Sequence, residues 1–215
     1  TLSNGLLKMC MNGSFNVQPI NCGTDYIDIK FHTLAAGHET VNLDLYLASP
    51  DHVKQLYAKY GAGKDVCITE SVMGLFDGYD KLSGSSAKIA ELLNIPVIMV
   101  VNAKAMAYSA APLLHGFSSF MPGMKIVGAI FNFVRTASHY SFLKEACEDV
   151  GIEPLGYLPL QDSIEIPSRH LGLAFDNKEE LNEIAEQAAQ LIEQYVNVDK
   201  LLEITRAEPL YYKRE

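Results

Sequence analysis

The chain has 215 residues, of which 48% are apolar and 20% charged, a composition typical of folded globular proteins and not of disordered chains. Its 26 acidic side chains outnumber the 17 basic ones, and the sequence has no clustered basic face of the kind that binds nucleic acid. The longest apolar run, residues 95–101, is far shorter than the ~20 residues of a membrane-spanning helix. We therefore expect one large domain with neither nucleic acid nor a membrane as a partner.

Helical and strand-like patterns alternate along the chain. Buried strands in the centre of a parallel sheet read as continuous apolar runs, and the runs at 95–101 and 125–131 fit that description. Ser138 is the predicted N-cap of the helix that follows it. The alternation predicts an α/β fold, a parallel sheet flanked by helices with right-handed crossovers. In chain order we predict a helix at 1–10, a strand at 15–20, a helix at 51–60, a strand at 65–70, a helix at 85–93, a strand at 95–101, a helix at 107–117, a strand at 125–131, a helix at 138–150, a strand at 152–158 and a helix at 179–195.

The four cysteines, at positions 10, 22, 67 and 147, form no Cys-x-x-Cys pair and no disulfide-like spacing. Free thiols are typical of a reducing compartment, so we expect a cytoplasmic protein with buried cysteines.

The first predicted element is a helix with no strand before it. In a βαβ arrangement a leading helix normally follows a strand and a loop. Two interpretations remain open from the residues alone. Either the domain begins with a helix, or the chain begins just inside the first crossover of a longer protein.

Acidic side chains follow two of the predicted strands. Asp25 and Asp28 come after the first strand, Glu70 ends the second, and Asp77 lies in the loop beyond it. The carboxyl ends of parallel strands meet at one edge of a sheet, where ligands bind. Carboxylates converging there suit Mg²⁺ bridging to phosphate, although Asp and Gly also occur simply as turn residues. Glu70 is the least turn-like of the four, because it ends an apolar strand.

Three other groups are less informative. The run 61–64 has the composition of a phosphate loop, but Asp65 and a strand follow it, so we interpret it as a helix-to-strand turn. His32 and His38 lack the spacing of metal ligands. Ser168, Arg169 and His170 lie near the ligand edge, and their spacing does not decide between an anion site and a structural connection.

Several longer motifs carry a family resemblance. Residues 1–205 resemble the amidoligase domain of the cobyrinic acid a,c-diamide synthase family, which belongs to the dethiobiotin-synthetase-like branch of P-loop proteins. Residues 206–215 are then a linker or tail. The motifs are Val17-Gln18-Pro19, Gly23-x-Asp25-Tyr26-Ile27-Asp28, Asn42-Leu43-Asp44, Glu70-x-Val72-Met73-Gly74-Leu75-Phe76-Asp77-Gly78 and Ser168-Arg169-His170-Leu171-Gly172-Leu173.

The resemblance explains the leading helix. In this family a strand and a Walker A loop precede such a helix, and Thr1 matches the last Thr of that loop. A glutaminase domain follows in the family beyond the equivalent of Glu215. The resemblance therefore implies the central piece of a two-domain enzyme whose first strand and P-loop are missing here, and we expect these 215 residues alone to be inactive.

The resemblance implies ATP-dependent amidation of a cobyrinic acid, or a related tetrapyrrole, through an acyl phosphate, with Mg²⁺ and ammonia from glutamine. In the family pattern, the residues that match the metal-binding acids are Asp25, Asp28 and Glu70. Tyr26 and Asp77 match residues near the substrate. Thr1 and Asn132 match nucleotide-binding positions, Asn132 on the adenine side. The resemblance is compatible with a homodimer.

The sequence departs from the family pattern at four positions. Asn21 stands where Lys is usual, which removes a cation from the nucleotide edge, and Phe133 stands where Arg is usual. Thr24 replaces Pro and Ser71 replaces Gly. Two alternatives remain: another carboxylate-activating enzyme that resembles dethiobiotin synthetase, and a ParA-like ATPase, which the acidic charge disfavours.

Overall fold

The computed structural model describes residues 2–23, 28–71, 73–161, 178–208 and 210. The described residues divide into two compact units, one holding residues up to 93 together with 178–190, the other holding 94–161 and 191–207. The elements are α1 (Leu2–Asn12), β1 (Val17–Cys22), α2 (Asp28–Ala36), β2 (Val41–Leu43), α3 (Pro50–Gly61), β3 (Val66–Ser71), α4 (Ser86–Leu93), β4 (Val97–Asn102), α5 (Ala110–Phe120), β5 (Ile126–Val134), α6 (Ala137–Asp149), β6 (Glu153–Pro159), α7 (Lys178–Tyr195) and α8 (Val198–Ile204).

The first unit is built on a parallel sheet with strand order β2-β1-β3. All six residues of β1 are buried, because β1 has a strand on each side and helices α1 and α2 against it. Leu7, Met9 and Cys10 of α1 are buried at helical spacing, so an amphipathic pattern fixes the face that this helix packs. The carboxyl ends of β1 and β3 lie level, since Asn21 pairs with Glu70.

The second unit is built on a parallel sheet with strand order β4-β5-β6. Its core lies around the central strand β5, where Ile130 and Phe131 are fully buried. Helix α6 packs on β5 and β6 and buries Leu143. Gly156 of β6 has φ +135°, and a Cβ there would overlap the carbonyl oxygen of Tyr195, so only glycine allows this approach of strand and helix end.

The predicted α/β fold is confirmed, with parallel sheets flanked by helices. Each predicted element is present, with ends that differ by at most three residues. Three short elements were not predicted: α2, β2 and α8. The predicted N-cap of α6 was wrong, because Thr136 occupies that position and accepts a hydrogen bond from the His139 amide (3.0 Å).

The expected burial of strand β4 was also wrong. Its apolar sequence predicted the centre of a sheet, yet among the described residues β4 is an edge strand of the second sheet. Val100 is 52% exposed, whereas Ile130 of β5 is fully buried. The local pattern reports a strand with two apolar faces, but it does not report how many neighbours that strand has.

The expectation of free thiols is confirmed. All four cysteines are unpaired; Cys10, Cys22 and Cys147 are buried and Cys67 is half-buried. The turn predicted at 61–64 is also confirmed, since α3 ends at Gly61 and Gly63 has a positive φ of 73°. Within the ranges that the structure describes, every helix is too short or too polar to cross a membrane.

Candidate functional site

A row of polar side chains crosses the first sheet near its carboxyl end. Asn42 of β2 pairs in register with Asn21 of β1, which pairs in turn with Glu70 of β3. The Asn21 amide group donates to Oδ1 of Asn42 (2.8 Å). Asn21, which stands where the resemblance expects lysine, is fully buried. Position 21 therefore supplies a buried amide in place of a cation. The row of polar side chains depends on the strand register, so the sequence alone does not predict it.

Glu70 forms an ion pair with Nε2 of His32, which lies on α2. The His32 side chain is 4% exposed and that of Glu70 27%. Burial raises the pKa of Glu70, but the hydrogen bond and charge of His32 outweigh it, with help from the Ser3 hydroxyl, so the pKa lies below its usual range. The carboxylate is therefore ionised at neutral pH. Spacing gave no signal for His32, since its partner is 38 positions away in the sequence.

The same contact brings the start of α2 toward Glu70. Asp28 is the first residue of α2, four positions before His32. Side chains four apart lie on one face of a helix, about 5–6 Å apart at Cβ. His32 contacts Glu70 from one face of α2. Asp28 lies on that same face, one helical turn before His32. The convergence of Asp28 and Glu70 on one metal stays a prediction.

The third acid of that set, Asp25, lies outside the described residues, as do Tyr26, Thr1 and residues 168–173. Among the residues that are described, no group of three or more His, Cys, Asp or Glu side chains lies close enough to hold a metal. The donors that are present fit Mg²⁺ in kind, because Glu70 and Asp28 offer carboxylate oxygens and Glu70 is ionised. A magnesium site that includes Asp25 stays a prediction.

Asp44 orders the turn that follows β2. Its Oδ1 accepts a hydrogen bond from the Tyr46 amide (2.7 Å), while Oδ2 is buried with no hydrogen-bond partner in the described ranges. A buried carboxylate oxygen without a hydrogen-bond partner lowers the stability of the folded state. Asp44 is a second polar feature, directly after β2, the strand next to Asn21. The motif containing Asp44 was part of the resemblance, but no role was predicted for it.

Asp77 lies in an ordered loop between β3 and α4. Ser71 begins this loop, and its hydroxyl hydrogen-bonds to the Met73 carbonyl (2.8 Å) and the Ser86 hydroxyl (2.6 Å). The Asp77 carboxylate lies directly over Gly74, where a Cβ would overlap it, and the Asp77 amide donates to the Gly74 carbonyl (2.9 Å). A side chain at position 74 would therefore displace the Asp77 carboxylate from this position. Asp77 itself is exposed beyond the strand end.

Asn132 belongs to the second unit. It lies near the carboxyl end of β5, in register with Asn102 of β4. Its carbonyl accepts from the Ala103 amide (2.9 Å) and its Oδ1 from the Phe133 amide (3.0 Å). Phe133 has a positive φ of 62°, so the strand bends here. A role for Asn132 beside adenine stays a prediction.

The described structure of this chain has a counterpart among solved structures. A chain of the MinC:MinD cell division protein complex from Aquifex aeolicus matches with a TM-score of 0.59 at 12% identity, over 99% of this chain and 92% of that chain. At this identity the likeness shows the fold alone, an α/β fold.

The sequence comparisons identify relatives over the whole chain. A search of protein-family models found no match. The cobyrinate a,c-diamide synthase of Caldanaerobacter subterraneus subsp. tengcongensis is 40% identical over 100% of this chain and 48% of its own length. Those of Methanocaldococcus jannaschii and Saccharolobus solfataricus are 37% and 34% identical over 94% and 98% of this chain. The chain spans about half the length of these curated relatives.

This identity to proteins of one name extends over both units. The chain therefore belongs to the cobyrinate a,c-diamide synthase family.

Proposed function

We propose that this chain is the amidoligase part of a longer enzyme that amidates the a and c side-chain carboxylates of cobyrinic acid, or of a related tetrapyrrole. The reaction uses ATP, and glutamine supplies the ammonia. The observation that carries the proposal is the 34–40% identity to cobyrinate a,c-diamide synthases along nearly the whole chain. The MinC:MinD likeness, at 12% identity, does not favour a ParA-like function over this one.

The chemistry explains why a nucleotide is needed. A carboxylate resists attack by ammonia, because its leaving group would be an oxide. In the proposed reaction a carboxylate oxygen of the substrate attacks the γ-phosphorus of ATP, and ADP leaves. Ammonia then attacks the acyl carbon, phosphate leaves with the electron pair of the C–O bond, and the nitrogen loses a proton to give the amide. The protein contributes positioning and electrostatic stabilisation to both steps.

Glu70, Asp28 and Asp25 would hold Mg²⁺ at the end of the first sheet. Bound there, the ion neutralises charge on the phosphoryl oxygens. What supports this assignment is the ionised state of Glu70 and its fixed orientation, which the buried His32 maintains from α2. Asn21 supplies an amide dipole next to Glu70, and Asn42 supplies another on the far side of Asn21, without adding negative charge.

The remaining residues would bind the two substrates. Asp77 projects from its glycine-supported loop beyond the strand end, which suits contact with the tetrapyrrole or the intermediate, as we propose also for Tyr26. Asn132 and Thr1 would contact the nucleotide. A glutaminase domain in the same polypeptide would release the ammonia; the roughly twofold greater length of the relatives supports an additional domain.

The test uses the full-length protein with cobyrinic acid, ATP, Mg²⁺ and either glutamine or ammonia. We expect the monoamide and then the diamide to form, with one ADP released per amide. Mass spectrometry measures both products. Heavy oxygen placed in the substrate carboxylate should appear in the released phosphate if an acyl phosphate forms. ATP hydrolysis without amide formation would contradict the proposal and favour another ATPase of this fold.

A further inference from the structure

Two exposed tyrosines meet at the carboxyl end of the first sheet. Tyr46 lies in the turn after β2 and is 67% exposed; Tyr79 lies in the loop after β3 and is 63% exposed. Their ring centroids are 5.1 Å apart in an edge-to-face arrangement. We refer to these two side chains as the tyrosine pair. Large aromatic side chains left in solvent beside a candidate site are typical of surfaces that bind an apolar ligand face.

The backbone holds both rings in place. Oδ1 of Asp44 accepts a hydrogen bond from the Tyr46 amide (2.7 Å), and the Tyr79 amide donates to the Ser83 carbonyl (3.0 Å). The ring of Tyr79 lies against Gly84, where a Cβ would overlap it. The tyrosine pair is thus ordered before any ligand arrives, and a pre-organised surface loses little conformational entropy on binding.

A strained lysine lies on the same loop. Lys81 has a φ of +51°, a conformation that favours glycine, in a turn closed by the Ser83 amide and the Asp80 carbonyl (2.9 Å). The Lys81 carbonyl accepts from the amide of Gly78, the residue before Tyr79 (2.8 Å). Within the described ranges no carboxylate lies at ion-pair distance from its exposed ammonium group. Backbone strain that persists in a folded protein is often associated with function.

We infer that the tyrosine pair and Lys81 bind the tetrapyrrole substrate. One ring of the pair offers its face to the macrocycle while the other packs against it edge-on, and the Lys81 ammonium binds one of the carboxylates around the rim. This inference rests on the proposed function. A flat ring that carries several carboxylates matches this surface in both respects, since aromatic side chains bind apolar faces and ammonium groups bind carboxylates. The surface also lies on loops that follow β2 and β3, the strands of the polar row.

The experiment measures steady-state kinetics and equilibrium binding of cobyrinic acid with the full-length protein. Tyr46→Ala, Tyr79→Ala and Lys81→Gly should each raise the KM for cobyrinic acid about tenfold, the loss expected when one such contact is removed. The KM for ATP and the glutaminase rate should not change. Lys81→Gly also removes the strained side chain, so its melting temperature should equal or exceed that of the unmodified protein.

Two control variants separate binding from structure. Ser14→Gly relieves a similar positive φ (63°) after α1, so it should leave the KM for cobyrinic acid unchanged. Tyr60→Ala removes another exposed tyrosine, from α3, and should also have no effect on that KM. An unchanged KM in Lys81→Gly and Tyr79→Ala would overturn the inference.

The equilibrium-binding measurement distinguishes failure of this inference from failure of the proposed function. If the unmodified protein binds cobyrinic acid but does not amidate it, the proposed function is wrong, and loss of binding in the three variants still supports the surface. If the unmodified protein neither binds nor amidates cobyrinic acid, both are wrong.

Discussion

At the scale of single residues, the ion pair between Glu70 and His32 is the feature with the clearest consequence for activity. Glu70→Gln keeps the size and hydrogen bonding of the side chain but removes its charge. We expect kcat in the full-length enzyme to fall at least about a hundredfold, because a charged metal ligand supplies several kcal/mol of transition-state stabilisation. Circular dichroism should show an unchanged fold. Glu91→Gln, an exposed acid of α4, is the matched control and should keep full activity. Wild-type turnover in Glu70→Gln would end the metal-binding assignment.

The buried thiols predict how stability depends on pH. Burial raises the pKa of Cys10 to about 11; burial and nearby carboxylates raise those of Cys22 and Cys147 to about 12. Unfolded thiols ionise near pH ~8.5, so above that pH the unfolded state loses protons that the folded state keeps. The free energy of unfolding should therefore be largest below pH ~8.5 and fall as pH rises toward 11, by up to about 1.4 kcal/mol per pH unit for each thiol. Urea titrations between pH 7 and 10 measure this slope.

Cys147→Ala is the matched variant for that measurement. It should reduce the slope by roughly a quarter, since it removes one of the four thiols, Cys10, Cys22, Cys67 and Cys147, whose pKa burial raises. A free energy of unfolding that does not change with pH would show that the thiols ionise equally in both states.

At the scale of elements, the first turn of helix α6 allows a direct test of which residue is its N-cap. Thr136 accepts the His139 amide, whereas Ser138 lies inside the helix. Thr136→Ala should lower the free energy of unfolding by about 1 kcal/mol, the usual cost of losing an N-cap. Ser138→Ala should change it little, because no N-cap bond is lost. Thermal or urea unfolding of the two variants decides which residue caps the helix, and equal effects would contradict the assignment.

Local pattern predicted the long elements and missed the short ones for physical reasons. Helix α2 buries Phe31 and His32, and a histidine is not counted as apolar although its ion pair with Glu70 makes burial favourable. Strand β2 has only three residues, too few to show alternation. The position of Glu70 at the end of β3 was predictable from one apolar run ending in an acid. Its contacts were not, because they depend on strand register and on α2.

At the scale of the whole molecule, the sheet of the second unit has an apolar strand, β4, at one edge within the described residues. Edge strands with apolar faces tend to pair with other chains. We expect the 215-residue chain to self-associate through β4, and Val100→Lys to reduce the light scattering of concentrated samples, because a charge on an edge strand opposes pairing. Phe142→Lys, at a residue of similar exposure (49% against 52%) on α6, controls for surface polarity and should reduce scattering less. If both substitutions reduced scattering equally, the self-association would depend on exposed apolar side chains in general and not on pairing through β4.

The one-sided pairing of β4 also sets how its amide hydrogens exchange with solvent. In a strand, successive N–H groups point to alternate sides. In the part of the chain that the structure describes, β4 has β5 on one side only, whereas β5 lies between two strands. Deuterium uptake should therefore alternate residue by residue along β4, fast and slow, and be uniformly slow along β5. In the full-length enzyme the alternation would disappear if another strand occupied the free side, so its loss reports directly that this edge is covered.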